Sequence, residues 1–432
     1  MNNSYDLKHR ILNFKGRLLH LYFLASLSND VLISRLVEGI ENRQGKDLEN
    51  CLNMGDVEIV STNNIQRIQQ ALLGGNCALF DGETTYLMDS KNYPNRSIEE
   101  PETEKSVRGA KDGFNESILN NTGLIRRRIK SPELCFHLTT MGTENPIDIA
   151  VVYLENKVDQ HILKQLLKRI EDVQAQEFIM SDRAIEEVLL NQGYNPFPLV
   201  RYSERPDIVA THIQHGFIAI LCDTSSSVVM LPTTLFEILE HVEEHRQTPL
   251  IGTFIRLIRM AAVFLSVYLV PLFALISSFM VWDYSFFIQI LIMELSIELL
   301  RIATVHTPQS LSNAMGLIAA ILLGEFAIQL GFFSEDILMF CAIGTVGGFA
   351  TPNYELSLTN KYIKVMMLIS IMFFNIFGFV IFNLILWISL SRIKTFGVSY
   401  LYPLYPYDGK ALFQFLIRQS KKNQVSKESS QI

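Results

Sequence analysis

Cysteine is scarce and scattered in this chain of 432 residues: Cys51, Cys77, Cys135, Cys222 and Cys341 contain no C-x-x-C pair. That spacing excludes a zinc ribbon and a disulfide framework, and it fits a reducing compartment for the front of the chain. No G-x-G-x-x-G or G-x-x-x-x-G-K-[ST] stretch occurs, so no motif is present to cradle a dinucleotide or a nucleoside triphosphate. No Ser/His/Asp or Cys/His arrangement stands out. A basic surplus is missing from the front as well, where the residues up to Pro249 hold 25 Lys+Arg against 35 Asp+Glu. Nucleic acid calls for a basic face, so this part argues against such a partner. From Leu250 onward, charge of either sign nearly vanishes, with 12 Lys+Arg and 9 Asp+Glu in 183 residues. A soluble globule and a wholly disordered chain are both excluded by that asymmetry.

The rear half has the composition of a membrane domain. Residues 260–282 run 23 positions without a charge, about 34 Å of helix against a hydrocarbon core of about 30 Å. Residues 365–391 run 27 positions without a charge and form the second secure span. Three weaker segments lie between: 284–303 with Glu294, Glu298 and Arg301; 311–333 with Glu325; and 337–350, short and rich in small residues. The first 25 residues carry Asp6, Lys8, Arg10, Lys15 and Arg17, so no signal peptide is expected. Arg256 and Arg259 precede the first span, and Arg392, Lys394 and Lys421-Lys422 follow the last. Basic flanks mark the cytoplasmic side, which places both termini there and requires an even number of crossings. The expectation is therefore an α-helical transmembrane bundle of four spans plus one further membrane-embedded helix, with the Glu294 segment as the one that does not cross.

That segment carries the most chemistry. Glu294, Glu298 and Arg301 are spaced i, i+4, i+7 and fall on one helix face in otherwise apolar surroundings. Ionised groups are costly against lipid, so the stripe should face protein or water. One reading is the lining of an ion pathway. The alternatives are a Glu298–Arg301 pair neutralising itself at a helix contact, or a helix lying flat at the interface. Glu325 is a lone carboxylate among Gly316, Ala319, Ala320, Gly324 and Ala327, able to hydrogen-bond across a close helix contact. Thr345-Val346-Gly347-Gly348 is similar to a potassium filter over four residues only and lacks the aromatic, so a packing helix is the preferred reading.

The front half reads as an α/β unit present twice. Residues 18–37 and 149–170 each give an apolar strand, a polar break and a helical period, with Tyr22 opposite Tyr153 and Leu36 opposite Leu167. Residues 68–88 and 209–230 each give a helix, a Gly turn, a buried strand and a hairpin, with Gly74 opposite Gly216 and Asp81 opposite Asp223. Both Asp residues sit where Asp forms turns. The expected order is a first subdomain (1–92), a linker with a basic helix (93–146), a second subdomain (147–249), the transmembrane domain (250–392) and a cytoplasmic tail (393–432). In the linker, Arg126-Arg127-Arg128 and Lys130 end a helix-period stretch. Such a cluster meets lipid headgroups or an acidic neighbour, or it is a solvated helix end favoured by the macrodipole. His241-Val242-Glu243-Glu244-His245 matches H-x-x-E-H, but a third zinc ligand is wanting nearby, so no metal, cofactor or enzymatic activity is expected.

Several runs together resemble the GerA family of spore-germination proteins, specifically its A-type subunits, over nearly the whole length. They are Val107-Arg108-Gly109-Ala110-Lys111-Asp112-Gly113-Phe114 with Arg126-Arg127-Arg128, Asn195-Pro196-Phe197-Pro198, and Tyr202-Ser203-Glu204-Arg205-Pro206-Asp207. In the membrane half they are Gly252-Thr253-Phe254-Ile255-Arg256, Met293-Glu294-Leu295 with Glu298 to Arg301, and Pro352-Asn353-Tyr354-Glu355-Leu356. Tyr93-Pro94 and His245-Arg246-Gln247-Thr248-Pro249 look most like the family's stage V sporulation protein AF branch. The resemblance implies a multi-pass protein of the inner spore membrane that oligomerises into a channel releasing ions at germination. It also implies itself, other germination membrane proteins and lipid as partners, with Glu294, Glu298 and Arg301 in the family's polar membrane helix. The alternative function is a non-conducting scaffold or sensor whose duplicated α/β domain binds a small molecule or partner.

Overall fold

The computed structural model describes residues 7–25, 27–42, 59–92, 97–101, 104, 109–142, 146–172, 181–190, 192–280, 283–305, 316–317 and 327–418. Two compact units divide the chain, Met1–Ser97 and Ile98–Ile432. In the first, β1 (Leu7–Phe14), β2 (Arg17–Leu24), β3 (Ile59–Thr62), β4 (Cys77–Phe80) and β5 (Thr85–Met88) form a sheet in the order β1-β2-β4-β5-β3. All of its pairings are antiparallel. Helices α1 (Asp30–Asn42) and α2 (Ile65–Leu73) cover opposite faces, α1 over Leu19, Leu21 and Leu79 and α2 over Ala78 and Leu87. Asn64 starts α2 by accepting from the backbone N–H groups of Gln66 and Arg67, satisfying two orphan donors. Asp81 accepts from Glu83 and Thr84 N–H and so shapes the β4–β5 turn.

The second sheet repeats this plan. Strands β6 (Leu134–Met141), β7 (Ile147–Leu154), β8 (Arg201–Ser203), β9 (Ile218–Cys222) and β10 (Val228–Leu231) lie in the order β6-β7-β9-β10-β8, which is the first order element for element. Helices α4 (Gln160–Glu171) and α5 (Ser181–Leu189) pack one face; α3 (Ile118–Arg128) and α6 (Pro206–Gln214) pack the other. Burial on both faces explains why Ile149 to Leu154 of β7 form an apolar run instead of an alternation. β6 falls inside the stretch read as a linker, because exposed polar residues such as His137 and Thr140 interrupt its apolar pattern. The left-handed turn after α6 is taken by Gly216 (φ +92°) and the one after α2, in the first unit, by Gly75 (φ +85°), one residue beyond the Gly74 of the sequence pairing. A Cβ at Gly216 would sit 2.7 Å from the Lys157 carbonyl oxygen, so only glycine fits.

Short helices α7 (Leu235–Leu239) and α8 (Val242–Arg246) lead into α9 (Pro249–Met280); α10 (Tyr284–Val305), α11 (Glu335–Phe349) and α12 (Tyr354–Arg392) follow. Among the described residues, α9 and α12 are the helices long and apolar enough to cross a membrane. α12 is folded on itself. Asn375 has φ +51° and ψ −133° in its middle; the Ser370 hydroxyl donates to the Gly378 carbonyl at 3.0 Å; and Asn383 Nδ2 lies 3.9 Å from Met367 Sδ. A continuous helix would hold residues sixteen apart by about 24 Å, so the chain reverses at Asn375 into two antiparallel arms. The 27-residue charge-free run is thus the end of one arm and the whole of the next, and cannot be a single straight span. In a cysteine-free background, Met367→Cys with Asn383→Cys is expected to cross-link readily under mild oxidation. A straight helix would leave both thiols free.

α11 packs on α9 through glycine. A Cβ on Gly347 would fall 2.6 Å from the Ala262 carbonyl oxygen and one on Gly344 would touch Val270 at 3.3 Å. The Thr345-Val346-Gly347-Gly348 run is therefore a helix contact. The second α/β sheet is fixed to this bundle: Thr359 donates its hydroxyl to the Pro196 carbonyl, and Phe197 and Ile238 share a core with Val270, Met293, Met367 and Leu390. The chain closes with β11 (Lys394–Thr395), β12 (Val398–Ser399) and α13 (Gly409–Leu416).

Candidate functional site

α10 runs antiparallel to the first arm of α12, and their facing charges pair in two rungs. Lys364 Nζ lies 2.5 Å from Glu294 Oε2, with side-chain exposures of 3% and 7%. One turn on, Lys361 Nζ meets Glu298 Oε2 at 2.6 Å. Arg301 chelates the same Glu298 through Nε at 3.0 Å and its terminal nitrogen, while its guanidinium lies over the Tyr354 ring at 5.3 Å. Glu294, Glu298 and Arg301 are thus brought together and turned toward protein, each carboxylate with a cation. Sequence reasoning missed Lys361 and Lys364. Their signal was a complementary period: acids at i, i+4 on one helix and lysines at i, i+3 on a later one. Glu325 lies outside the described residues.

The linker motif builds a second cluster. Asp112 takes Arg128 NH2 with both oxygens at 2.6 Å. Burial alone would raise the Asp112 pKa, but the guanidinium wins and holds it below the ordinary range. Gly109 (φ +102°) lies against Arg246, whose guanidinium occupies the place a Cβ would need; Gly113 donates its N–H to the Glu99 carbonyl at 2.8 Å. Arg126 donates to the carbonyls of Ser131 and Leu134 and lies over Phe136. Arg127 is exposed, and Arg108 lies outside the described residues. Fully buried Arg205 donates to the Glu104 and Ala110 carbonyls and to Asp207, and Arg246 pairs with the same Asp207 at 2.5 Å. This arrangement ties the linker to the second sheet.

Beside the start of α9 is a cavity of about 650 Å³. Its walls come from α6, α7–α8, the start of α9 and residues 402–418, with Phe217, Phe236 and Phe415 beside Arg201, Glu237 and His241. Burial pushes the Glu237 carboxyl up to about 7, and lowers His212 to about 3 and His241 to about 4. His241 is the cap of α8, its Nδ1 accepting from Glu243 N–H. Glu244 is bound by Arg256 and Arg259. The middle of the H-x-x-E-H run is therefore occupied by structural contacts, and no group of three or more metal-type ligands is gathered among the described residues.

The Glu237 value carries a pH prediction. Its folded pKa lies above the unfolded one, so the contribution to stability is full below about 4.5 and is lost as pH rises through about 7. Glu237→Gln keeps the cap on Thr234 and removes the titration. The variant is expected to be more stable than wild type by about 2–3 kcal/mol at pH 8, with the gap closing near pH 5. Parallel unfolding curves at both pH values test this, and a gap that does not change with pH refutes it.

The family model described as Bacillus/Clostridium GerA spore germination protein matches residues 1–430. The chain belongs to the GerA family. Among GerA relatives, stage V sporulation protein AF of Bacillus subtilis (strain 168) is 39% identical over 445 residues, covering 98% of this chain and 90% of that one. Spore germination protein KA of the same organism is 27% identical, covering 93% and 78%. Among solved structures, the N-terminal domain of the A subunit of the Bacillus megaterium spore germinant receptor GerK3 aligns with 54% of this chain and 89% of its own, at 23% identity and a TM-score of 0.24.

Proposed function

We propose that this GerA protein is an integral subunit of a spore germination apparatus in the inner spore membrane, and that its copies assemble into an ion-conducting channel. The observation that carries this is the pair of charged rungs: Glu294, Glu298, Arg301, Lys361 and Lys364 gathered inside an apolar helical bundle. Such groups are costly in lipid and are kept where ions pass or charge is switched. Separation of a rung opens a polar path; closure neutralises it. In this reading α9, long and apolar enough to cross, is a membrane span, and an even number of crossings keeps both termini cytoplasmic. The Glu294 helix stands inside the bundle, its charges facing α12. Relatives named as germination proteins make other germination membrane proteins natural partners.

Ion flux from liposomes holding the full-length protein tests the channel. Neutralising a whole rung with Glu294→Gln plus Lys364→Met avoids leaving one charge buried. Flux or ion selectivity is expected to change in the assembled variant; identical conduction would remove the rung from the path. A second reading, a scaffold or sensor that binds a small molecule, is favoured by the cavity over α9. Residues 402–418 supply one of its walls, so a ligand screen requires the whole chain.

A further inference from the structure

Residues 401–418 present two unlike sides. The inner side is pinned to the start of α9: Phe415 meets Phe236 edge-on at 4.9 Å, the Phe415 carbonyl accepts from Arg256, and the Arg418 N–H donates to Thr253 Oγ1 at 3.1 Å. Asp408 starts α13 by accepting from the Lys410 and Ala411 N–H groups, so the helix is held at both ends. The outer side bares Leu404, Tyr405, Tyr407, Phe413 and Ile417, with Tyr407 at 75% and Phe413 at 53% exposure. Beside them the first turns of α9 expose Leu250, Phe254 and Leu257. An apolar patch continuous with the entry of a membrane helix marks an interface and is not ordinary solvated surface.

Charge decides what covers it. Residues 392–427 carry seven Lys/Arg and one acidic residue, Asp408, whose oxygens are taken by the helix cap and the Tyr402 hydroxyl. A second copy would bring the same positive segment against it, whereas an anionic lipid surface is complementary. Tyrosine and phenylalanine at a water–lipid boundary, on a short helix flanked by basic residues, match an interfacial element. We propose that residues 401–418 form a collar lying in the headgroup layer of an anionic bilayer, with Tyr405, Tyr407 and Phe413 inserted beside the entry of α9. This rests on the reading that α9 crosses the membrane. The collar sets the depth of that helix and holds one wall of the cavity against the lipid.

The test uses full-length protein in vesicles of phosphatidylglycerol and phosphatidylcholine, in a Trp282→Phe, Trp387→Phe background. Two single-tryptophan variants are compared, Phe413→Trp in the collar and Phe264→Trp in the middle of α9, with Tyr407→Trp as a second collar probe. Brominated lipids report depth and aqueous iodide reports exposure. The collar tryptophans are expected to be quenched most by bromines near the top of the acyl chains, about 5–10 Å into the headgroup boundary, and more strongly as phosphatidylglycerol increases. The residue 264 probe is expected to prefer deep bromines. Collar quenching by iodide alone, with residue 264 still deep, places the collar in water and overturns the proposal. Shielding of both collar probes from iodide and bromine alike means that protein covers the patch, which overturns it too. Loss of lipid quenching at residue 264 instead sinks the membrane reading on which the proposal stands.

Discussion

Lys364→Met is expected to destabilise the protein by about 3–5 kcal/mol, the usual penalty for leaving one member of a buried ion pair without its partner. Lys364 and Glu294 are almost fully buried and 2.5 Å apart, so neither charge has bulk water to fall back on. Attraction between them offsets the desolvation of both only while both are present. Adding Glu294→Leu to Lys364→Met removes the orphaned carboxylate and is expected to recover most of the loss, as is the exchange Glu294→Lys with Lys364→Glu. The lower rung should respond differently. Glu298 is 24% exposed and served by two cations, so Lys361→Met leaves Arg301 in place and is expected to cost about 1 kcal/mol. Thermal unfolding of the four variants in one detergent measures the cycle. A Lys364→Met protein as stable as wild type, or a double variant no better than the single, would show that the rung is not a closed pair.

What the sequence made legible was what is local. The doubled front unit could be read because strand, break and helix recur at similar offsets, and the identical strand orders of the two sheets bear that out. Asp81 signalled its turn because an Asx turn needs only neighbouring backbone N–H groups. The reversal at Asn375 was hidden, since Phe373-Phe374-Asn375-Ile376-Phe377 holds neither glycine nor proline and its hydropathy matches the arms on either side. Lys361 and Lys364 were hidden for a related reason. They stand just ahead of a long charge-free run and carry no local mark of a partner, while their partners lie more than sixty residues earlier. Pairing across that separation is a property of packing. The cavity over α9 was equally invisible, because its walls combine residues from 201–256 with residues from 402–418.

The GerA motif residues show the same division. Gly109 and Arg246 are far apart in sequence, yet the guanidinium fills the space that a side chain at Gly109 would need. Arg205 and Asp207 are near in sequence, but Arg205 is fully buried because the linker carbonyls of Glu104 and Ala110 come down on it. A specific run of residues here encodes the docking of one segment on another. The membrane stripe was read from spacing alone, but Lys361 and Lys364, which pair with it, come from a helix that spacing could not connect to it.

Glu244→Gln is expected to cost about 3 kcal/mol and to loosen the C-terminal segment. The Glu244 carboxylate is fully buried, with Arg256 Nε at 2.6 Å on one oxygen and Arg259 at 2.5 Å on the other. A glutamine presents one acceptor and one donor in the same space, so one guanidinium loses a charged acceptor and meets an N–H₂ in its place; breaking a buried pair of this kind costs about 3–5 kcal/mol. Arg256 is also the donor to the Phe415 carbonyl, which makes its position the link between the α8 cap, the start of α9 and α13. When Glu244 no longer orients it, tryptic cleavage after Lys410 and Arg418 should accelerate before global unfolding. Glu240→Gln is the control. Glu240 meets the same Arg256 at 3.0 Å but is 24% exposed, so its loss should stay within about 1 kcal/mol. Equal protease resistance in wild type and Glu244→Gln would mean that the Phe236 and Thr253 contacts hold the C-terminal segment without help from Arg256. Selective opening of residues 410–418 would show that a buried carboxylate beside the start of α9 locks the tail onto that helix.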